Sequence, residues 1–221
     1  MTDITAVGER TRVRRSAHLA RYDAATLHAI VDAAYICQVA FYDGASTHCI
    51  PTACWRSGEY LYIHGSNGSR MVKLLAQGTQ ACVTITHVDG LVLARSAFAH
   101  TMNYRSAAVY GSFETVDGEA AKHAALHAFM DKLAPGRQAE VRTGSPKEYA
   151  ATTVLRIALG EAACKVREGG PNDEEEDMAR PAWAGVLPLE VRHGAPVRHT
   201  LCDVEAPRYV AAWKLNEENH Q

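Results

Sequence analysis

A chain of 221 residues with 47% hydrophobic content is long enough to bury a real core in one large domain, and its 23 Lys+Arg against 25 Asp+Glu leave a formal charge of −2. A balance so near zero supplies no global field for nucleic acid or an acidic membrane surface, so neither is an expected partner. No apolar run approaches a bilayer span, and no secretory pattern follows the basic N-terminus, so the expected location is the cytoplasm.

Taken in chain order, residues 1–22 form a basic arm carrying Arg10, Arg12, Arg14 and Arg15. Asp23 is placed to cap a helix whose Leu27, Ile30 and Val31 recur on one face through Ala34, which suits a helix covering a sheet. Strand-like runs at 36–42, 48–55 and 60–64 come next, separated by Asp43-Gly44 and Ser57-Gly58, which are hairpin turn signals. A short helix from Ser69 to Ala76 is closed by Gly78. Residues 81–88 and 91–97 then flank Asp89-Gly90 as a further hairpin, and 104–116 is a long strand broken at Gly111 by a bulge or barrel bend. A helix over 119–133 stops at Pro135-Gly136, 146–151 makes a short helical turn, and 152–163 returns to strand composition.

The body of the domain thus runs over 23–168, and 169–221 is a C-terminal extension. That extension opens with the acidic run 173–177, read as a solvated loop. Its apolar block 183–189 needs a surface to pack on, either the barrel or a partner subunit. Six or seven short strands with tight turns and no alternation of strand and helix predict a mainly β fold with peripheral helices, a small antiparallel Greek-key-like barrel. A Rossmann fold is disfavoured on the same ground, and neither G-x-G-x-x-G nor the P-loop pattern occurs.

Chemistry concentrates in two places. In 60–73, Tyr60, Tyr62 and His64 alternate with Leu61 and Ile63 at strand period, Gly65 and Gly68 interrupt, and Ser69 can cap a helix that begins with Arg70. That is the shape of a cradle for a phosphate, with Lys73 as a further cation; an ordinary strand, turn and capped helix with a solvated arginine has the same pattern. In 94–106, Arg95, Ser96, His100, Asn103, Tyr104, Arg105 and Ser106 lie between apolar strands. If those strands neighbour 60–64, Arg105 and Ser106 reach the mouth where Ser69 and Arg70 stand; the alternative is Arg105 paired to an acid. Lys165 and Arg167, placed after the last strand, add two cations. No hydrolase elbow or triad order is present. The six cysteines show no C-x-x-C pair and no zinc spacing, so free and mostly buried thiols, and no metal, are expected.

The ordered motifs at 12–15, 21–23, 50–52, 61–66 with Ser69 and Arg70, 89–96, 102–106, 135–137, 165–167 with Gly169, and 183–188 resemble the pyridoxamine 5′-phosphate oxidase-like family, in its flavin-nucleotide-binding branch of FMN-binding split barrels. The resemblance implies a split β-barrel homodimer with FMN at the subunit interface. It implies that Ser69 and Arg70 bind the FMN phosphate, that Ile50, Pro51, Thr52, Ile63 and His64 line the isoalloxazine edge largely through backbone groups, and that Asn103, Tyr104 and Arg105 approach from the neighbouring strand. Lys165, Arg167 and Trp183 are carried over as residues from the partner subunit or around the open face of the flavin.

The chain also departs from the oxidase proper. It reads Ser69-Arg70-Met71 where that enzyme has serine, arginine and lysine, and Arg192-His193 and Arg198-His199 match its substrate-binding Arg-x-His only superficially. The expected function is therefore that of an FMN-dependent oxidoreductase of an unidentified small substrate, with His64 or Tyr104 orienting it or donating a proton. Two alternatives stand beside it: a flavin-binding or sensor module without turnover, and a barrel that holds haem or a deazaflavin, with His64 or His100 as axial ligand.

Overall fold

The computed structural model describes residues 8–211, so residues 1–7 of the basic arm and 212–221 of the C-terminal extension lie outside the described residues. After β1 (Ala20–Arg21), α1 (Ala24–Ala33) begins where Asp23 accepts a hydrogen bond from the Thr26 N–H at 2.8 Å, and it buries Leu27, Ile30 and Val31 against the barrel. The meander β2 (Ile36–Tyr42), β3 (Thr47–Ser57) and β4 (Tyr60–Ser66) comes next. Its two turns form at the expected dipeptides. Gly44 and Gly58 take φ of 96° and 57°, a region that a side chain would disfavour, and the Asp43 carboxylate accepts from the N–H groups of Ala45 and Ser46.

The rest of the chain supplies α2 (Arg70–Ala76), β5 (Gln80–Leu93), β6 (Thr101–Ser112), β7 (Glu114–Thr115), α3 (Glu119–Leu133), α4 (Pro146–Ala151), β8 (Thr152–Ala158), β9 (Ala162–Arg167), β10 (Gly185–Pro188) and α5 (Arg208–Ala211). The strand order is β1-β9-β6-β5-β2-β3-β4-β8-β7, all pairs antiparallel, with β10 added to β5. Because β7 continues the chain of β6 past the bend at Gly111–Phe113 and pairs with β8, the β8 end of this order folds back onto β6 and the sheet closes as a barrel. The mainly β split barrel expected from the sequence is therefore the observed fold.

Three expectations are corrected. Asp89-Gly90 is not a hairpin turn: β5 runs through it as one strand of 14 residues with a bulge between Val88 and Gly90. The run 152–163 is two strands, because the chain turns at 159–161, so Lys165 and Arg167 lie on β9 rather than beyond the last strand. The acidic run is not wholly solvated either. The Asp173 side chain is 2% exposed and accepts from both the backbone N–H and the guanidinium of Arg95 at 2.7 Å, while Asp177 is buried beside Arg180. The block 183–189 does find its surface, as β10 on β5.

Strand alternation divides the apolar residues between two cores. Leu61 and Ile63 point into the barrel with Val39, Phe41, Val83, Ile85, Val109, Leu155 and Ile157, under α1 and α2. Trp55 and Tyr62 point outward and pack with Val116, Ala125 and Val154 beneath α3. Among the described residues no helix is long and apolar enough to cross a membrane.

Candidate functional site

The cradle expected at 60–73 forms as a tight junction of β4, α2 and the β2–β3 turn. Gly65 lies so close to α2 that a Cβ there would stand 2.8 Å from Val72 Cγ2, so the glycine is what lets helix and strand meet. Ser69 caps α2, its Oγ accepting from the Val72 N–H at 3.4 Å, which leaves the hydroxyl proton to donate elsewhere. Arg70, at the first helical position, sends a guanidinium that is 62% exposed towards the hairpin tip. There Nη1 lies 3.5 Å from Asp43 Oδ2 and Nη2 lies 3.3 Å from His48 Nδ1. His48 Nε2 is 2.7 Å from the same Asp43 Oδ2. The N–H groups of Ser46 and Ala45, and then His48, hold the Asp43 carboxyl well below the usual carboxylate range.

His64 stands on the outward face of β4. Its ring centroid is 4.9 Å from that of Phe129 and 5.7 Å from that of Trp55, and its Nδ1 is buried with no hydrogen-bond partner. Burial lowers its pKa, so the ring is held neutral. Ile63, by contrast, is completely buried between Cys54 on β3 and Leu155 on β8 and has no exposed surface in the single chain. On β3, Ile50 and Thr52 face inward opposite Val39 and Cys37, and Pro51 faces outward opposite Gln38.

The second set gathers at the ends of β6 and β9. Asn103 is buried, donating to the Gly169 carbonyl at 3.1 Å and accepting from Arg167, whose guanidinium also donates to the Gly170 carbonyl. Arg105 forms a two-pronged pair with Asp89 at 2.8 and 2.9 Å, and this bond raises its pKa. Tyr104 sits opposite Val88 and Arg167, and Lys165 opposite Ser106. Trp183 is 65% exposed and lies over the backbone of Gly185, where a Cβ would come within 2.9 Å of the indole. The expected junction of the two sets does not form within one chain. β5, β2 and β3 intervene between β6 and β4, so Arg105 is held by an acid rather than standing at the mouth beside Arg70.

The registers also describe the surface between the two sets. Pro51, Gln38, Thr84, Ala108 and Ala163 lie side by side across five strands on the outward face, and Val88, Tyr104 and Arg167 lie in a parallel row. Leu187, Leu91 and Met102 extend this face across β10, β5 and β6 with exposures of 45, 38 and 49%. Small side chains flanked by an open apolar row make a flat face that a partner or a planar ligand can cover. Asp43 and His48 join this site although neither is among the residues expected there. The signal was there in the Asp-Gly turn and the histidine just after it, but the link to Arg70 spans 22 and 27 residues and needs the folded hairpin.

The profile of the pyridoxamine 5′-phosphate oxidase family matches residues 23–166. The chain belongs to the pyridoxamine 5′-phosphate oxidase-like family. Among solved structures of that family, the flavocytochrome Anf3 from Azotobacter vinelandii is 38% identical, with 95% of this chain and 98% of that one covered at a TM-score of 0.89. The FAD and haem binding protein from Mycobacterium smegmatis is 36% identical over 89% of this chain and 97% of that one, with a TM-score of 0.85. A protein of Bacteroides thetaiotaomicron assigned to 5-nitroimidazole antibiotic resistance shares the fold, at 19% identity over 66% of this chain and 86% of that one and a TM-score of 0.56. No curated protein matches the sequence.

Proposed function

We propose that this protein is a homodimeric flavin-nucleotide-binding protein that uses its flavin in electron transfer, with the phosphate end at Ser69 and Arg70 and the ring on the outward sheet face at the subunit interface. The observation that carries this reading is the likeness, over 95 and 89% of the chain, to two proteins whose names give flavin and haem as what they bind. The chain's own residues fit a flavin. Arg70 keeps unpaired N–H donors beyond those aimed at Asp43 and His48, and the Ser69 hydroxyl has a proton to give, which suits the 5′-phosphate shared by FMN and FAD.

When bound, the flavin supplies one- and two-electron chemistry. The protein's part is to hold the phosphate at Arg70, to keep water off the ring with the sheet face and the partner subunit, and to present Tyr104 on that face as a hydroxyl able to orient a substrate. His64, Lys165, Arg167 and Trp183 are assigned to the ring and its surroundings on the family's pattern. FMN is the cofactor expected from the motifs; the names of the two near full-length relatives make FAD, with haem as a second group, the competing reading. For haem, His100 would be a residue able to hold the iron: its Nδ1 lies 2.9 Å from the Ser96 carbonyl, a contact that occupies one ring nitrogen and would leave Nε2 for the metal.

Arg70→Ala is expected to raise the dissociation constant for FMN at least about tenfold, as read by quenching of flavin fluorescence, because a charge-assisted phosphate contact contributes roughly 1.5 to 3 kcal/mol. Unchanged affinity would put the phosphate elsewhere. Anaerobic reduction by NADH or NADPH and then reoxidation with nitroaromatic acceptors tests turnover. A flavin that no donor reduces, or that no acceptor reoxidises, would replace the oxidoreductase reading with a binding module.

A further inference from the structure

The side chain assigned to the phosphate is the least fixed member of its own site. Arg70 is mostly exposed and stands at the first position of α2, whose buried residues are Met71, Val72 and Leu75. What fixes it comes from the β2–β3 hairpin. His48 sits on β3 with its ring against buried Phe41, the centroids 5.3 Å apart, and with Nε2 2.7 Å from Asp43 Oδ2. A carboxylate oxygen only accepts, so Nε2 carries the proton and Nδ1 presents a lone pair. That lone pair faces Arg70 Nη2 at 3.3 Å. Asp43 is in turn pinned by the N–H groups of Ala45 and Ser46 at 2.9 and 2.7 Å, so the chain of contacts ends in rigid turn backbone.

We infer that His48 is a positioning residue for the anion site. Its imidazole, oriented by Asp43, accepts from Arg70 through Nδ1 and holds the guanidinium with its remaining N–H donors turned towards a flavin phosphate. The energetic logic is preorganisation. An exposed arginine loses rotamer freedom when it closes on a ligand, and a neighbour that has already restricted it removes part of that cost from binding. This inference rests on the phosphate reading of Arg70.

The test titrates flavin-stripped protein with FMN and, separately, with riboflavin, which has the ring but no phosphate. His48→Leu is expected to weaken FMN by about five- to tenfold while leaving riboflavin within about twofold, and His48→Asn, which keeps an acceptor near the Nδ1 position, is expected to recover most of the loss. On an Arg70→Ala background His48→Leu is expected to change FMN affinity no further, since a residue acting through Arg70 has nothing left to act on. A further loss on that background would make His48 a direct ligand contact and overturn the positioning role. So would equal loss of FMN and riboflavin, or His48→Asn behaving like His48→Leu. If Arg70→Ala weakens FMN but His48→Leu does not, the inference fails and the phosphate reading stands. If Arg70→Ala itself has no effect, both fail.

Discussion

His64 shows how burial alone turns a side chain into a reporter. Its ring lies against Trp55 and Phe129 with a depressed pKa, so in the folded protein it stays neutral where an unfolded histidine, with a pKa of about 6.5, already binds a proton. Between those two values the unfolded chain carries more protons, so stability falls as pH drops through that window and is unaffected by this residue above it. Thermal melts from about pH 7 to pH 5 should therefore show a steeper loss for the native chain than for His64→Phe, which keeps an aromatic ring but does not titrate; parallel profiles would contradict the assignment. Trp55 is fully buried in the same cluster, and Trp55→Ala should cost about 3 to 5 kcal/mol in denaturant unfolding, against under about 1 kcal/mol if the second core contributes little. Single residues were readable in the sequence where chemistry is local: Ser69 caps α2 and Arg70 comes directly after it because cap and helix start are consecutive residues. Asp43 and His48 were not readable, since their role depends on a hairpin tip reaching a helix far along the chain; that Arg105 pairs with an acid was one of the two readings, and only the identity of that acid, Asp89 on the neighbouring strand 16 residues away, needed the fold.

Elements obeyed their punctuation where one local signal decided the outcome. Asp43-Gly44 and Ser57-Gly58 became hairpin turns, and α3 and α4 occupy the expected residues because Gly118, Pro135-Gly136 and the Ser145 capping box bound them. Asp89-Gly90 carried the same signal and became a bulge instead, since β5 is gripped there by β6 on one side and β10 on the other, and that pairing outweighs the turn preference of two residues. Gly90 has a further role, because a Cβ would fall 2.9 Å from Val186 Cγ1 and 3.2 Å from the Leu187 carbonyl oxygen. Gly90→Val is therefore expected to lift β10 from β5 and open the C-terminal extension to limited proteolysis at residues 180–190, while the barrel stays intact. Cleavage no faster than in the native chain would mean that β10 adapts to the added methyl groups.

For the whole molecule, a small antiparallel barrel was legible because strand count, turn spacing and the absence of strand–helix alternation all point to it, the bend at Gly111 included, and its split form came with the family resemblance; the pairing of β7 with β8 that closes it was not, because two residues beyond the bend carry no strand signal of their own. The flat outward face with its open row of Leu187, Leu91 and Met102 is where the proposed second copy docks, so Leu91→Asp should convert a dimer to a monomer in sedimentation velocity and release flavin with it. A monomeric native chain that retains flavin would remove the interface from the site. Whether this barrel holds a flavin nucleotide is decided most directly by the absorption spectrum of the purified protein, together with chromatographic identification of whatever it releases on denaturation. Flavin bands and a released FMN or FAD are expected, with a Soret band beside them if haem is the second group. A protein that shows no flavin band and takes up neither FMN nor FAD on reconstitution would not be the flavoprotein proposed.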